Sequence, residues 1–326
     1  MELFIQIILL LAGLALILAG ANYLVDGSSS IAKKFGISEF VIGLTIVGIG
    51  TSAPEMVVSF IASLKGNADM AIGNVVGSNI FNTLLFLGIT ALISPLLITK
   101  NNLKRDIPLN IAVTVLLILL GMNATIFRSG GANILSRIDG IVMLALFGWY
   151  LWKSFKEDTD EKETEENGEE TSAERNVWIS TIMILGGLAG LIFGGRLFVD
   201  AATKIASIFG VSDKFIAITV MAAGTSMPEL ATCVVAAFKG RGQLALGNIL
   251  GSNISNILLI LGGSAIISPL SFTGMTMADL GTVLGCSLFI LLSAWLFKKK
   301  SLDRVEGAVL LLIEAGYMWY LISSIS

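Results

Sequence analysis

A six-residue pattern stands twice in this chain, and the duplication constrains any fold it can adopt. Gly50-Thr51-Ser52-Ala53-Pro54-Glu55 recurs as Gly224-Thr225-Ser226-Met227-Pro228-Glu229, a constant offset of 174 residues. The same offset carries Asp26 to Asp200, Phe35-Gly36 to Phe209-Gly210, and Gly73-Asn74 to Gly247-Asn248. It also carries Gly77-Ser78-Asn79-Ile80 to Gly251-Ser252-Asn253-Ile254, Asn82 to Asn256, and Ser94-Pro95 to Ser268-Pro269. A register held from position 26 to position 95 is an internal duplication, so two related halves are expected. Each copy of the pattern sets a carboxylate, two hydroxyls and a proline inside an apolar run. Ionisable residues there are costly and mark function.

The runs are long enough to cross a bilayer. About 20 apolar residues span the hydrocarbon. Ten segments satisfy that rule: roughly 3–25, 38–64, 70–97, 107–126 and 135–154, then roughly 177–200, 212–238, 244–270, 278–297 and 305–324. Mean hydropathy is +0.86, and 14% of residues are charged against about a quarter in soluble domains. The expected fold class is an all-α membrane protein of ten transmembrane helices. Residues 1–155 make the first repeat (helices 1–5), 156–176 an acidic linker, and 177–326 the second repeat (helices 6–10). The first run, from Leu3 to Leu24, is too long for a signal-peptide core and has no basic residue before it, so it reads as the first span. Glu157 to Glu174 holds ten acidic residues and almost no apolar ones, which predicts a solvated, unfolded linker.

Five spans in each half make the second copy enter from the opposite side. The repeats are then inverted about an axis in the membrane plane, with sites near the midplane at the repeat interface. Basic residues agree with this layout. With both termini outside, fifteen of the 21 lysines and arginines fall in inside loops, among them Lys33, Lys104, Lys239 and Lys299. The expected location is the cell (plasma or inner) membrane, multi-pass, with the acidic linker cytoplasmic.

The chemistry sits in the second and seventh spans. Proline lacks an N–H and crowds the carbonyl four residues earlier. For Pro54 that carbonyl belongs to Gly50, and for Pro228 to Gly224. Helices 2 and 7 are therefore expected to be broken, with carbonyl oxygens opened at the break. Irregular backbone at membrane depth is tolerated only where it is buried or lines a wet cavity. Thr51, Ser52, Thr225 and Ser226 would then be neutral oxygen ligands, and Glu55 and Glu229 would supply charge. A simple proline kink, with hydroxyls bonded back to the helix, explains a lone Ser-x-Pro. It does not explain a glutamate beside the proline twice.

The third and eighth spans supply the complement. Asn74, Ser78 and Asn82 fall at i, i+4 and i+8 and share one helix face, and Asn248, Ser252 and Asn256 repeat the stripe. Asn79 and Asn253 point off it, where an amide that only joins helices is the competing reading. Gly73 with Gly77, and Gly247 with Gly251, are small-xxx-small pairs that permit close helix approach. Every candidate donor is oxygen, which suits Ca2+ and Na+. Two glutamates balance one Ca2+ or two Na+. Two buried carboxylates close together cannot both stay ionised without a cation, so such a site must refill with ions or protons.

The paired Gly-Thr-Ser-x-Pro-Glu and Gly-Asn-x-x-Gly-Ser-Asn-Ile motifs resemble the two alpha repeats of the cation/calcium exchanger superfamily, specifically the prokaryotic sodium/calcium exchangers. The resemblance covers essentially the whole chain outside the linker. It implies ten helices, with alternating access by sliding of the first and sixth across a fixed core. It makes Glu55 and Glu229 the main calcium ligands and gives Thr51 and Thr225 carbonyl ligands. It sets Ser52, Ser226, Ser78 and Ser252 along sodium sites, helped by the carbonyls of Gly48 and Ala222. Exchangers of this family often carry an aspartate at one of the positions held here by Asn82 and Asn256. This chain has asparagine at both, which leaves the two glutamates as its site carboxylates.

The expected function is secondary-active antiport of Ca2+ against Na+, with Ca2+/H+ exchange as the alternative and a cation channel less favoured. The transported ions are Ca2+ and Na+, with K+ or H+ left open. No cofactor, nucleic acid or required protein partner is expected beside the lipid bilayer. There is no histidine, and no Ser/His, Cys/His or His–metal arrangement, so the chain is not expected to be an enzyme. Cys233 and Cys286 read as small packing residues. Asp26 and Asp200 read as helix-end residues, and Asp139 and Glu314 as structural.

Overall fold

The computed structural model describes residues 2–127, 131–162, 176–209, 222–273, 275–296 and 301–325. Positions 210–221, which open the seventh expected span, and 163–175 of the linker lie outside the described residues. The chain forms two compact units. One is Met1–Pro54 with Lys153–Asn248, and the other is Glu55–Trp152 with Ile249–Ser326. Each unit draws on both sequence halves.

The first unit is built on two long helices, Glu2–Phe35 and Val177–Ile208. They run antiparallel: Gly13 lies against Gly194, Gly20 against Gly187, and Gly27 against Ser180. Lipid tails give helices no hydrophobic reason to associate, so close backbone approach at small residues must join them. A Cβ on Gly20 would stand 2.7 Å from the Gly187 carbonyl oxygen, and one on Gly187 would stand 2.7 Å from that of Gly20. The Gly13–Gly194 and Gly20–Gly187 contacts exchange with each other under the 174-residue offset. A hydroxyl bond from Ser180 to Ser30 (2.9 Å) extends the seam. The outer faces carry exposed Phe4, Ile8, Leu11, Trp178, Ile182 and Phe193.

A second layer of this unit begins at Ser38, whose side chain caps Val41 N at 3.2 Å. The chain runs through Glu39–Ile42, a π-helical turn at Gly43–Val47, and Gly48–Thr51. It packs on the start of helix Gly242–Ser255, where a Cβ at Gly247 would collide with the Phe40 carbonyl. The close approach expected at Gly247 is thus present, whereas Gly77 meets nothing within 4 Å among the described residues. Asp26 pairs with Lys239 at 2.6 Å, and Glu39 pairs with Arg241. Asp26 is therefore an ion-pair residue, but it stands inside the helix, nine residues before Phe35, and not at the helix end that its position predicts.

The second unit holds the rest of the third-span helices. Ala68–Ile80 passes into a π-helical turn, Phe81–Phe86, and then Leu87–Ile93. Its counterpart runs from Ile249 through a π-helical turn, Asn256–Leu261, and then Gly262–Ile267. Both end in an extended serine, Ser94 (φ −143°, ψ 126°) and Ser268 (φ −147°, ψ 130°). Each serine precedes a proline, which disfavours the helical conformation of the residue before it. The released chain then forms two-residue strands that the all-helical expectation did not contain. Leu96–Leu97 pairs antiparallel with Ser301–Leu302, and Leu270–Ser271 with Ile134–Leu135. Glycines also meet closely in this unit: Gly88 lies against Gly307, and Gly262, the offset partner of Gly88, lies against Gly140. Asp139 accepts from Ser136 N and Oγ (2.8 and 2.7 Å) at the start of helix Arg137–Lys162, which is a capping role.

That last helix departs from expectation at its other end. It continues to Lys162, so the first acidic residues after position 156 are helical. The apolar span ahead of them has already nucleated the helix, and adding good helix formers such as Glu and Lys to an existing end is cheap. By length and composition, five described helices can cross a membrane. A sixth span is reached if Glu39–Thr51 and Ala53–Leu64, bent by 47°, are counted together.

The glycine seam makes a direct prediction. Gly187→Leu forces a side chain into the Gly20 and Leu24 backbone, whereas Gly186 next to it has nothing within 4 Å among the described residues. Gly187→Leu should destabilise the protein by about 1–3 kcal/mol or more, read as a lower melting temperature in detergent. Gly186→Leu should melt close to the parent. Equal melting of the two variants would contradict the role given to close approach.

Candidate functional site

Both copies of the repeated pattern break the helix at the serine. Ser52 (φ −77°, ψ 7°) ends Gly48–Thr51, and helix Ala53–Leu64 starts after it. Ser226 (φ −92°, ψ 8°) stands between Ala222–Thr225 and Met227–Phe238. The prolines therefore occupy the first turn of a new helix, where a missing N–H costs nothing. Glu55 and Glu229 are the third residues of their helices, at the end whose partial positive charge favours a carboxylate. Ser-x-x-Glu is also the order of a capping box. The box does not close: Ser226 makes no side-chain cap, and the Ser52 hydroxyl is turned to another helix.

In the first unit the Ser52 hydroxyl donates to Glu229 Oε1 at 3.0 Å. Glu229 is only 2% exposed, and its Oε2 has no hydrogen-bond partner among the described residues. No ion pair among the described residues reaches it. Thr51 Oγ1 donates to Asn248 Oδ1 at 3.1 Å, and Asn248 Nδ2 donates to Cys233 Sγ at 3.3 Å. One expectation is corrected here. Ser52 N–H donates to the Gly48 carbonyl at 3.2 Å, so that oxygen keeps a hydrogen bond beside the break. Ala222 lies in the same helical segment as Thr225, Ala222–Thr225.

In the second unit Glu55 is 1% exposed, and Ser78 Oγ donates to its Oε1 at 3.5 Å. Asn74 Nδ2 donates to the Glu55 backbone carbonyl (3.1 Å) and to Ser59 Oγ (2.9 Å). Ser252 is fully buried. The two third-span helices are joined by their asparagines. Asn82 Nδ2 donates to Asn253 Oδ1 (3.1 Å), and Asn256 Nδ2 donates to Asn79 Oδ1 (2.9 Å). These two bonds exchange under the 174-residue offset. Asn79 Nδ2 adds a bond to the Asn253 carbonyl (3.1 Å), and Asn253 Nδ2 one to Thr83 Oγ1 (2.9 Å). Asn79 and Asn253 therefore join helices. Their bonds hold the NH2 ends of Asn82 and Asn256, whose buried Oδ1 atoms have no partner among the described residues. Both stripes reach a π-helical turn at this level, a distortion common at functional sites.

Sequence reasoning missed Ser59 and Cys233 as partners of the stripe amides. The repeat register carried a signal for both, since each stands four residues after its glutamate. It also missed the π-helical turns, which leave no compositional mark.

Chemically, the donors are carboxylates, hydroxyls and amide oxygens. No three of His, Cys, Asp and Glu gather among the described residues, so neutral oxygens dominate. A buried carboxylate with one unpartnered oxygen requires a cation or a proton.

Known proteins resemble this chain in sequence and fold. The sequence profile of the family described as "Sodium/calcium exchanger protein" matches residues 5–156 and 179–323. Inner membrane protein YrbG of Escherichia coli (strain K12) is 35% identical over 320 residues, covering 95% of this chain and 94% of that protein. Sodium/calcium exchanger MaX1 of Methanosarcina acetivorans is 33% identical over 344 residues, covering 96% of this chain and 97% of that protein. The solved structure of the sodium-calcium exchanger NCX_Mj soaked with 10 mM Na+ and zero Ca2+ aligns with a TM-score of 0.82. It is 33% identical and covers 99% of each chain. Doubled motifs, apolar helices and these likenesses agree: this is an integral multi-pass membrane protein that belongs to the sodium/calcium exchanger family, among the prokaryotic members of the cation/calcium exchanger superfamily.

Proposed function

We propose that the chain is a secondary-active antiporter that exchanges Ca2+ for Na+ by alternating access. The observation that carries this reading is Glu229. It is a buried carboxylate with one oxygen held by Ser52 and the other unpartnered among the described residues. Taking such a charge out of water is unfavourable unless a cation or proton accompanies it. An ion that leaves must therefore be replaced, which is the physical basis of exchange rather than free release.

Both glutamates serve as principal Ca2+ ligands in this reading. Their combined charge matches one Ca2+ or two Na+. Thr51 and Thr225 contribute oxygen, Ser52, Ser226, Ser78 and Ser252 line sodium positions, and the carbonyls of Gly48 and Ala222 assist. The amide oxygens of Asn74, Asn248, Asn82 and Asn256 complete the set. Support for Asn82 and Asn256 comes from their engaged NH2 groups, which leave oxygen as the available end. A ten-helix inverted repeat is supported by the glycine and asparagine contacts that exchange under the offset. The helix pair Glu2–Phe35 and Val177–Ile208 is the moving element, and its smooth glycine seam suits two helices that travel together. Both termini lie outside the cell membrane, with the acidic linker in the cytoplasm.

Reconstituted protein should accumulate Ca2+ in vesicles when a sodium gradient is directed outward. Glu55→Gln and Glu229→Gln should each cut that uptake about 100-fold, in line with the ~3 kcal/mol or more expected when a buried charged ligand is lost. Uptake that follows a pH gradient and ignores sodium would instead establish Ca2+/H+ exchange. Asn82→Asp should add a third carboxylate and steepen the sodium dependence. An unchanged Hill slope and pH profile would remove Asn82 from the ligand set.

A further inference from the structure

We propose that Ser59 and Cys233 are positioning residues that aim the Asn74 and Asn248 amides, and that sulfur in place of oxygen makes one amide more loosely held than the other. The inference rests on reading Asn74 and Asn248 as ion ligands, and it concerns how those ligands are oriented.

The geometry occurs twice, once in each unit. Ser59 and Cys233 each stand one helical turn beyond a glutamate, and both are fully buried. Ser59 Oγ accepts Asn74 Nδ2 at 2.9 Å and donates to the Ala71 carbonyl at 3.4 Å. Cys233 Sγ accepts Asn248 Nδ2 at 3.3 Å and lies 3.8 Å from the Ala245 carbonyl as donor. Each residue in the first set is related to its counterpart by the 174-residue offset, so the relay is a property of the repeat rather than a local accident of packing.

An asparagine amide has nearly the same shape when rotated by 180°, and hydrogen-bond partners decide which end points where. A carbonyl oxygen attracts a cation, whereas an NH2 group repels one. An acceptor behind the amide fixes the nitrogen and so presents the oxygen. The effect is visible at Asn248, whose Oδ1 accepts from the Thr51 hydroxyl while Nδ2 is held by sulfur.

The two anchors are unequal. Asn74 Nδ2 has two oxygen acceptors, Ser59 Oγ and the Glu55 carbonyl. Asn248 Nδ2 is held by a thiol sulfur, which is a weaker acceptor and holds at longer range. Cys233 is thus more than the packing residue its composition implies. It stands behind a ligand without being one.

The test measures apparent KM for Ca2+ and maximal rate in proteoliposomes of the full chain. Cys233→Ala should raise KM about tenfold with the maximal rate within twofold. Cys233→Ser should restore KM to the parent value or below. Ser59→Ala should reproduce the defect in the other copy, with Ser59→Cys milder, so a folding failure at Cys233 leaves an independent arm. Asn248→Ala should raise KM and abolish any further effect of Cys233→Ala in the double variant. If Asn248→Ala leaves KM unchanged, the ligand reading itself fails. If Asn248→Ala raises KM while Cys233→Ala and Ser59→Ala do not, or if the double variant is additive, the positioning role is overturned and the ligand reading survives.

Discussion

A carboxylate buried in an apolar span must be matched by a cation or take up a proton, and the surroundings of Glu229 bear on that constraint. The helix is broken one turn before it, which gives the side chain a fresh N-terminus whose dipole favours the anion. Ser52 supplies one hydrogen bond and leaves the second oxygen without a partner among the described residues. Among the described residues no lysine or arginine forms an ion pair with it. A permanent ion pair would have stabilised the same group and made it useless for transport. An exchangeable cation satisfies the constraint only while it is present.

Duplication explains how a single chain builds such an environment with few residue types. One pattern of Ser-x-Pro-Glu followed by Asn-x-x-x-Ser-x-x-x-Asn, written twice, yields paired glycine seams, paired π-helical turns and paired asparagine bonds. The exceptions to the pairing are informative. Thr83 accepts from Asn253 where the repeat register has Ile257, and Cys233 stands where it has Ser59. Small departures from symmetry of this kind give the two related sets of side chains different hydrogen-bond partners while the backbone plan stays common.

Much of this was legible in the residues. Spans follow from hydrophobic length, the halves from the constant offset, and the candidate ligands from carboxylates and amides where apolar side chains belong. What was not legible depends on tertiary choice. Ser52 and Glu55 satisfy the local rule for a capping box, yet the Ser52 hydroxyl goes to Glu229 on a different helix. The proline was expected to free carbonyls, yet Ser52 N–H still donates to that of Gly48. The two-residue strands after Pro95 and Pro269 depend on partners far along the chain. Local rules give way at the residues that are also the candidate ligands, which is where such conflicts are expected.

The central claim is that both glutamates are needed to hold one calcium ion. Equilibrium binding of radiolabelled Ca2+ to the purified chain in sodium-free detergent buffer tests it most directly. The account predicts one Ca2+ per chain, displaced by added Na+, with binding lost in either Glu55→Gln or Glu229→Gln. Two Ca2+ per chain, with each variant retaining one, would contradict it.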